Sequence, residues 1–385
     1  MILPPEIIDV IIDHLQDRAA LCKCSLISRI WLPGCRYHIF GAITLRRSNI
    51  RVFLTLRTPL CTFARYVQRF ELNCILWDFI NIPALGERTV QAEQITLYFG
   101  GFPSVKELDI DTFSWDSLDS DSQTNFLTCF STIETLNIRA LYVASILSVI
   151  RIIGASPLLQ SLSLCNVGWN FTDESLYAIN KLSPPPHLRT LSLAECYKRD
   201  ILDWLIHESE PSVESLSLGV IFSADVQSIS NYLRRDGPFI EHLSFGFSDM
   251  DAGGDAEEFH TEVDLSLLTS LRYIRIEQFI FMDHFQLSSA VGWYPLILAR
   301  IKSPYLEEVE FSIHISQMDQ LDPPDFPIDW KSYDHLFAQG AGFKQLQRLT
   351  FLVFSKVDNG VMRNEIGKRL PESDARGILR VKFYV

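Results

Sequence analysis

Pro157-Leu158-Leu159-Gln160-Ser161-Leu162-Ser163-Leu164 is followed, 29 residues on, by Pro186-His187-Leu188-Arg189-Thr190-Leu191-Ser192-Leu193. Both stretches read apolar-x-x-apolar-x-apolar behind a proline. Alternation across the last two apolar positions is the period of a strand with one buried face. The same pattern occurs upstream at Val67/Phe70/Leu72, Val105/Leu108/Ile110 and Ile133/Leu136/Ile138. It continues downstream at Val213/Leu216/Leu218, Ile240/Leu243/Phe245, Leu271/Ile274/Ile276, Leu306/Val309/Phe311 and Leu346/Leu349/Phe351. From Phe70 to Leu349 the step averages 31 residues and ranges from 25 to 40. A recurring period of that size marks a repeat architecture.

Proline stands two residues before the first apolar anchor at Pro103, Pro157, Pro186, Pro211, Pro238 and Pro304. It cannot continue a helix and biases its predecessor toward extended geometry, so each copy reads as a helix ending and a strand beginning. Helices are expected at 140–153, 175–182, 201–207 and 225–235, the last with Ser223 as N-cap and Gly237 past its end. The longest uncharged apolar run, 140–150, is too short for a bilayer span and reads as a buried helix. Residues 361–370 are expected to form a helix stopped by Pro371, and 378–385 a last strand that caps the array. The longer insertions, 116–121, 249–258 and 321–330, are expected as rim loops.

This array resembles the leucine-rich repeat, which implies parallel strands on a concave face and helices on a convex one. The Asn or Cys that usually comes after the last strand Leu is missing from nearly every copy, with Cys196 the clearest match, so irregular turns are expected after the strands. The fold class is therefore read as α/β: a small N-terminal helical domain over 1–45, then an irregular leucine-rich-repeat-like solenoid over 46–385.

The first forty residues carry a second pattern: Leu3-Pro4-Pro5-Glu6-Ile7-Ile8, then Ile11, Ile12, Leu15, Leu21, Leu26-Ile27-Ser28-Arg29 and Trp31. Ile8, Ile11, Ile12 and Leu15 have helical spacing, and Ile7 and Leu3-Pro4 widen the apolar face beyond what one small core needs. Leu-Pro-x-Glu-Ile, the Leu closing the first helix and Leu-Ile-Ser-Arg-x-Trp resemble the F-box, the module that attaches substrate receptors to SCF-type (cullin-RING) ubiquitin ligases. The resemblance implies a Skp-type adaptor and a cullin scaffold as partners. It places Leu3, Pro4, Ile8, Ile12, Leu15, Leu26, Ile27 and Trp31 at or directly beneath the adaptor interface. Ile30 stands where many F-boxes carry a basic residue. A helical cap sealing the first repeat is the competing reading.

Composition narrows the classes. The 385 residues are 47% hydrophobic and 21% charged, with a net charge of −13. That charge argues against nucleic acid or an anionic membrane as principal ligand and favours a basic partner surface. Glu6, Asp9 and Asp13 interrupt any secretory core, so the chain is expected to begin with the helical domain itself, to be cytoplasmic or nuclear, and to keep its eight cysteines reduced. The Asn170-Phe171-Thr172 sequon is then idle.

No phosphate loop, zinc-protease or nucleophile-elbow motif occurs, and Gly340-Ala341-Gly342 lacks the third glycine of a dinucleotide loop. Cys22, Cys24, Cys35 and His38 suggest zinc by residue type, but Cys-x-Cys points its members apart, so the thiols read as small apolar residues in and beside the helices. The acids between Asp249 and Glu258 lack the EF-hand oxygens at the fifth and twelfth positions. No cofactor or metal is expected.

If strand side chains alternate, the residues between buried anchors face the concave side: Glu71, Asp109, Asn137, Ser163, Ser192, Ser217, Ser244, Arg275, Glu310 and Thr350. Small hydroxyls fill the centre, whereas His242, Tyr273, Arg275, Glu310 and Arg348 gather aromatic and charged groups near the C-terminal repeats, the expected target-binding end. The expectation is a non-enzymatic substrate receptor that docks on a Skp-type adaptor and captures an unidentified protein. The alternative is a leucine-rich-repeat interaction scaffold with no ligase; an enzyme ranks third.

Overall fold

The computed structural model describes residues 4–15, 17–46, 48–56, 62–73, 99–113, 115–170, 182–208, 213–248, 254–281, 290–322 and 327–384. It comprises two compact units, Met1–His187 and Leu188–Val385. Outside the described residues lie the expected helix at 175–182 except for its last residue, Phe171-Thr172 of the sequon, Leu3, and parts of the 249–258 and 321–330 insertions.

The first unit begins with α1 (Pro5–Asp13), α2 (Arg18–Cys24) and α3 (Leu32–Phe40). It continues with β1 (Ala42–Leu45), α4 (Ile50–Leu56), β2 (Arg69–Asn73) and β3 (Glu107–Asp111). It ends with α5 (Ser120–Cys129), β4 (Thr135–Val143), α6 (Ile146–Gly154) and β5 (Ser161–Trp169). The strands pair parallel in chain order, and the repeat anchors fall opposite one another: Ile43 with Phe70, Phe70 with Leu108, Leu108 with Leu136, Leu136 with Leu162. β1 is a strand that the sequence reading passed over, although Phe40/Ile43/Leu45 carries the same apolar-x-x-apolar-x-apolar spacing and pairs in register with Phe70 and Leu72.

The second unit runs β6 (Thr190–Cys196), α7 (Lys198–Glu208), β7 (Ser215–Ile221), α8 (Ser223–Asp236) and β8 (His242–Phe247). Next come α9 (Gly254–Glu262), β9 (Tyr273–Phe281), α10 (Ala290–Leu298) and β10 (Glu308–His314). It closes with α11 (Trp330–Gln339), β11 (Arg348–Phe354), α12 (Asn359–Arg369), α13 (Pro371–Ala375) and β12 (Leu379–Tyr384). Here too the anchors stack in one parallel row: Leu191, Leu216, Leu243, Ile274, Val309, Leu349 and Leu379. All seven are buried. The expected last strand is thus present, paired along β11.

The strand ends correct two expectations. Residues 140–153 are not one helix, because β4 runs to Val143 and α6 starts only at Ile146 behind the Ser145 N-cap, whose hydroxyl accepts from the Leu147 amide at 3.2 Å. The turns are also more regular than the missing Asn ladder implied. Thr112, Ala140, Asn166, Glu195 and Gln278 all have φ between 49° and 54°, each two residues past its last anchor. One left-handed residue in a strand acts as a bulge and reverses the facing of the residues after it. Leu141, Val167 and Phe279, three past their anchors rather than two, are accordingly buried.

Two further local expectations change. Residues 116–121 form a 3-10 turn and the start of α5, with Asp119 accepting from the Ser122 amide at 2.7 Å. Ser223 is the first residue of α8, not its cap, because its hydroxyl donates to Asp255 at 2.6 Å.

Aromatic packing fills both cores. Phe53, Phe70, Phe99, Phe102, Phe126 and Phe130 contact one another in the first unit. In the second, Phe279 and Phe311 lie 4.6 Å apart, and Phe311 stacks on Phe351 at 5.3 Å. Such pairs add about 0.5–1.5 kcal/mol each beyond area burial. The second unit also encloses an ion pair: the Lys198 side chain is 0% exposed and its Nζ lies 3.4 Å from Asp225 Oδ2. At the end of the chain Asp334 accepts from the Glu372 and Ser373 amides, both at 2.8 Å, while Arg376 donates to the carbonyls of Phe337, Phe343 and Lys344.

Asp225→Ala leaves the Lys198 ammonium buried without its counter-ion and is expected to destabilise the second unit by about 3–5 kcal/mol. Lys198→Met combined with Asp225→Ala should recover most of that loss. Urea unfolding followed by tryptophan fluorescence reads both; a single variant as stable as the parent would refute the assignment.

Candidate partner-binding surfaces

The N-terminal helices hold a small core. Pro4 is the N-cap of α1 and Pro5 its first residue, a position where the missing amide costs nothing. Ile8 and Ile12 of α1 meet Leu21 of α2 and Cys35 of α3, with Leu15, Cys24, Trp31 and Ile39 packed around them. Asp17 caps α2 by accepting from the Ala19 and Ala20 amides at 3.1 and 2.9 Å. His38 Nε2 lies 2.8 Å from Asp13 Oδ1, tying α3 to α1.

What this core leaves outside is unusual. Ile7, Val10 and Ile11, three and four apart along α1, are each more than a third exposed. In the turn after α2, Leu26 is 86% and Ile27 65% exposed, and Ile30 is also exposed. Large apolar side chains scattered singly need no explanation, but six within residues 7–30 form the apolar surface expected of a binding face.

The structure divides the sequence-picked residues. Leu26 and Ile27 are on the surface, as is Pro4; Ile8 and Ile12 are core; Leu15 and Trp31 are half-buried against that core; Leu3 lies outside the described residues. Ile11 does not share the face of Ile8 and Ile12 but looks outward with Ile7, which the sequence reading counted as widening the apolar face, and with Val10, which it passed over. Their signal was present, since an α1 apolar on both sides cannot bury both in so short a segment.

The second picked group lies on the open face of the second unit, opposite the helices. His242 is exposed with its ring 5.9 Å from that of Tyr273. Tyr273 donates its hydroxyl to Glu310 Oε1 at 2.8 Å, and Arg275 Nε stands 3.5 Å from the same oxygen. Arg275 also donates to Ser312 Oγ at 3.1 Å. Burial and the Glu310 carboxylate push the Tyr273 hydroxyl well above its ordinary value, so it stays a donor. Arg348 Nε meets Glu308 Oε2 at 2.7 Å, and Thr350 donates to Glu308 Oε1 at 2.8 Å.

The structure therefore brings Tyr273, Arg275 and Glu310 into one network, places His242 beside it, and pairs Arg348 with Glu308, a residue the sequence reading missed. Glu310 is buried rather than presented, which corrects its place among target-contacting groups. Thr350 is buried as well.

Among the described residues, no group of three or more His, Cys, Asp or Glu side chains is placed to hold a metal ion, and no helix is long and apolar enough to cross a membrane. Asp255, one of the acids weighed for calcium, lies in α9 and accepts from the amide and hydroxyl of Ser223. A cleft of about 510 Å³ in the first unit is lined by Phe40, Ile43, Val52, Phe53 and Phe63 together with Arg18 and Arg46.

Ile12→Ala should destabilise the helical core by about 2–5 kcal/mol through cavity formation. Leu26→Ala and Ile27→Ala should each stay within about 0.5 kcal/mol of the parent. Thermal unfolding by circular dichroism distinguishes the two classes. No family model matches this chain, and no curated protein matches it.

Proposed function

We propose that this chain is a non-catalytic substrate receptor of an SCF-type ubiquitin ligase, with the N-terminal helices as an F-box-like adaptor-binding module over 1–45 and the strand–helix repeats as a leucine-rich-repeat-like target-binding solenoid over 46–385. The observation that carries the reading is the conjunction at one place of the Leu-Pro-x-Glu-Ile and Leu-Ile-Ser-Arg-x-Trp motifs with six exposed apolar side chains. A segment whose only task is to seal the first repeat gains nothing from solvent-exposed Leu26 and Ile27, whereas a Skp-type adaptor covering them removes that apolar area from water. Ile8, Ile12, Leu15 and Trp31 then hold the helices at a fixed angle beneath the contact.

On this reading the chain performs no bond chemistry. Its contribution is proximity: holding adaptor and target on one polypeptide turns ubiquitin transfer, catalysed by other subunits on the cullin scaffold, into an effectively intramolecular step. The open face of the second unit supports target capture, since its exposed His242 and Arg348 and half-buried Arg275 are the aromatic and guanidinium types that dominate binding energy. Cytoplasm or nucleus is then the compartment in which such a ligase works.

Purified chain is expected to co-elute with a Skp-type adaptor in size-exclusion chromatography. An Ile7→Asp, Leu26→Asp, Ile27→Asp triple variant places charges on exposed positions, so it should keep the parent circular dichroism while losing the adaptor by at least about a hundredfold in affinity. Leu15 and Trp31 are unsuitable for this purpose because they also support the core. A folded parent that forms no complex would leave the scaffold reading in front.

A further inference from the structure

The C-terminal ends of β9 to β12 carry a row of rings on the open face of the second unit. Phe281 and His314 have centroids 5.1 Å apart, His314 and Phe354 4.2 Å apart with planes within 5°, and Phe354 and Tyr384 5.3 Å apart. Strand register produces the row, since His314 pairs with both Phe281 and Phe354, and Phe354 with Tyr384. Tyr384 is 49% exposed, and Phe281, His314 and Phe354 are half-buried.

Beside the rings, β12 adds two exposed cations to the same face, Arg380 opposite Thr350 and Lys382 opposite Leu352. Arg380 donates to the carbonyls of Gly377 and Leu379. Neither cation has a carboxylate partner among the described residues. The acids of this face do not offset them. Glu310 and Glu308 have side chains only 8% and 13% exposed and are held by Tyr273, Arg275 and Arg348. Glu277 accepts from Ser244 at 2.5 Å and from Ser217 at 3.5 Å and lies on β9, three strands from β12. Thr350, Ser312 and Leu352, between the network and the rings, are buried and present little side chain to solvent. On a chain of net charge −13, the charge this patch offers is positive.

We infer that the β9–β12 end of the open face binds an extended acidic peptide segment bearing an aromatic or bulky apolar residue. The ring row receives that residue by stacking, and Arg380 and Lys382 meet its carboxylates. A basic partner, which the overall charge favours, is repelled locally; field complementarity is decided by the charges at the contact. A nucleic-acid strand fits less well, because backbone tracking needs a longer run of cations than these two strand positions supply, against a repulsive whole-molecule charge. The inference rests on the receptor reading only for the segment's role as part of a target; the binding itself belongs to the isolated chain.

The test is selection from a random-peptide display library against the full chain, with a fluorescent copy of each enriched peptide titrated by polarisation. Expected are binders rich in Asp and Glu around Trp, Phe, Tyr or Leu, weakened about tenfold by Arg380→Glu with Lys382→Glu, similarly by Phe354→Ala, and weakened by added salt. Binders without acidic residues, or affinities indifferent to these variants while circular dichroism shows them folded, would overturn the inference. Tighter binding of an oligothymidine probe, lost in the same charge-reversal variant, would overturn it in favour of nucleic acid. Adaptor co-elution is read at the other unit, so it fails or succeeds independently of this outcome.

Discussion

In-register parallel pairing is the constraint on which the rest of each unit depends. Parallel strands put the same repeat position at the same height in every copy, about 4.8 Å from its neighbours. Each row must therefore be compatible with itself. The anchor row is satisfied by Leu, Ile, Val and Phe, which are buried from Phe70 onward, with Ile43 of the edge strand half-buried. The row two before the second anchor is satisfied in places by alternating charge: Lys106 with Glu134 at 2.6 Å in the first unit, and Glu241, Arg272 and Glu307 in succession in the second. The backbone repeats as well, with the carbonyl of that row in one copy receiving two amides from the next, as Arg272 O does from Glu307 and Glu308.

The same rule organises the open face and limits what it can present. Glu310 lies between Arg275 and Thr350 in one row, and Glu308 between Tyr273 and Arg348 in the next. Carboxylates so placed are neutralised by neighbours before any partner arrives, which leaves rings and uncompensated cations as the groups with interaction capacity to spare. Local exposure, rather than formal net charge, is what a partner meets.

At the N-terminus the physics runs the other way. Three short helices close over Ile8, Ile12, Leu21 and Cys35, and the apolar side chains left over exceed what that core can absorb. Burying those remainders against a partner is the plain thermodynamic outlet, which is why we propose this segment as a docking module and the repeats as a surface for capture.

Ten apolar-x-x-apolar-x-apolar copies were enough to determine parallel strands alternating with helices and which residues are core, because burial on one strand face is written directly as a period of two. The sequence likewise determined that α1 carries more apolar surface than it can bury. Tertiary structure alone decided which of Ile7, Ile8, Ile11 and Ile12 faces inward, since the apolar arc left by Glu6, Asp9 and Asp13 is too wide to bury whole and no part of it is preferred until α2 and α3 pack on it. It decided where Ala140 and Gln278 would flip the strand face, since neither residue type announces a left-handed backbone. It also decided that Glu310 would be buried and that Phe281, His314, Phe354 and Tyr384 would stack, since those four lie far apart in the chain and only strand register sets them side by side.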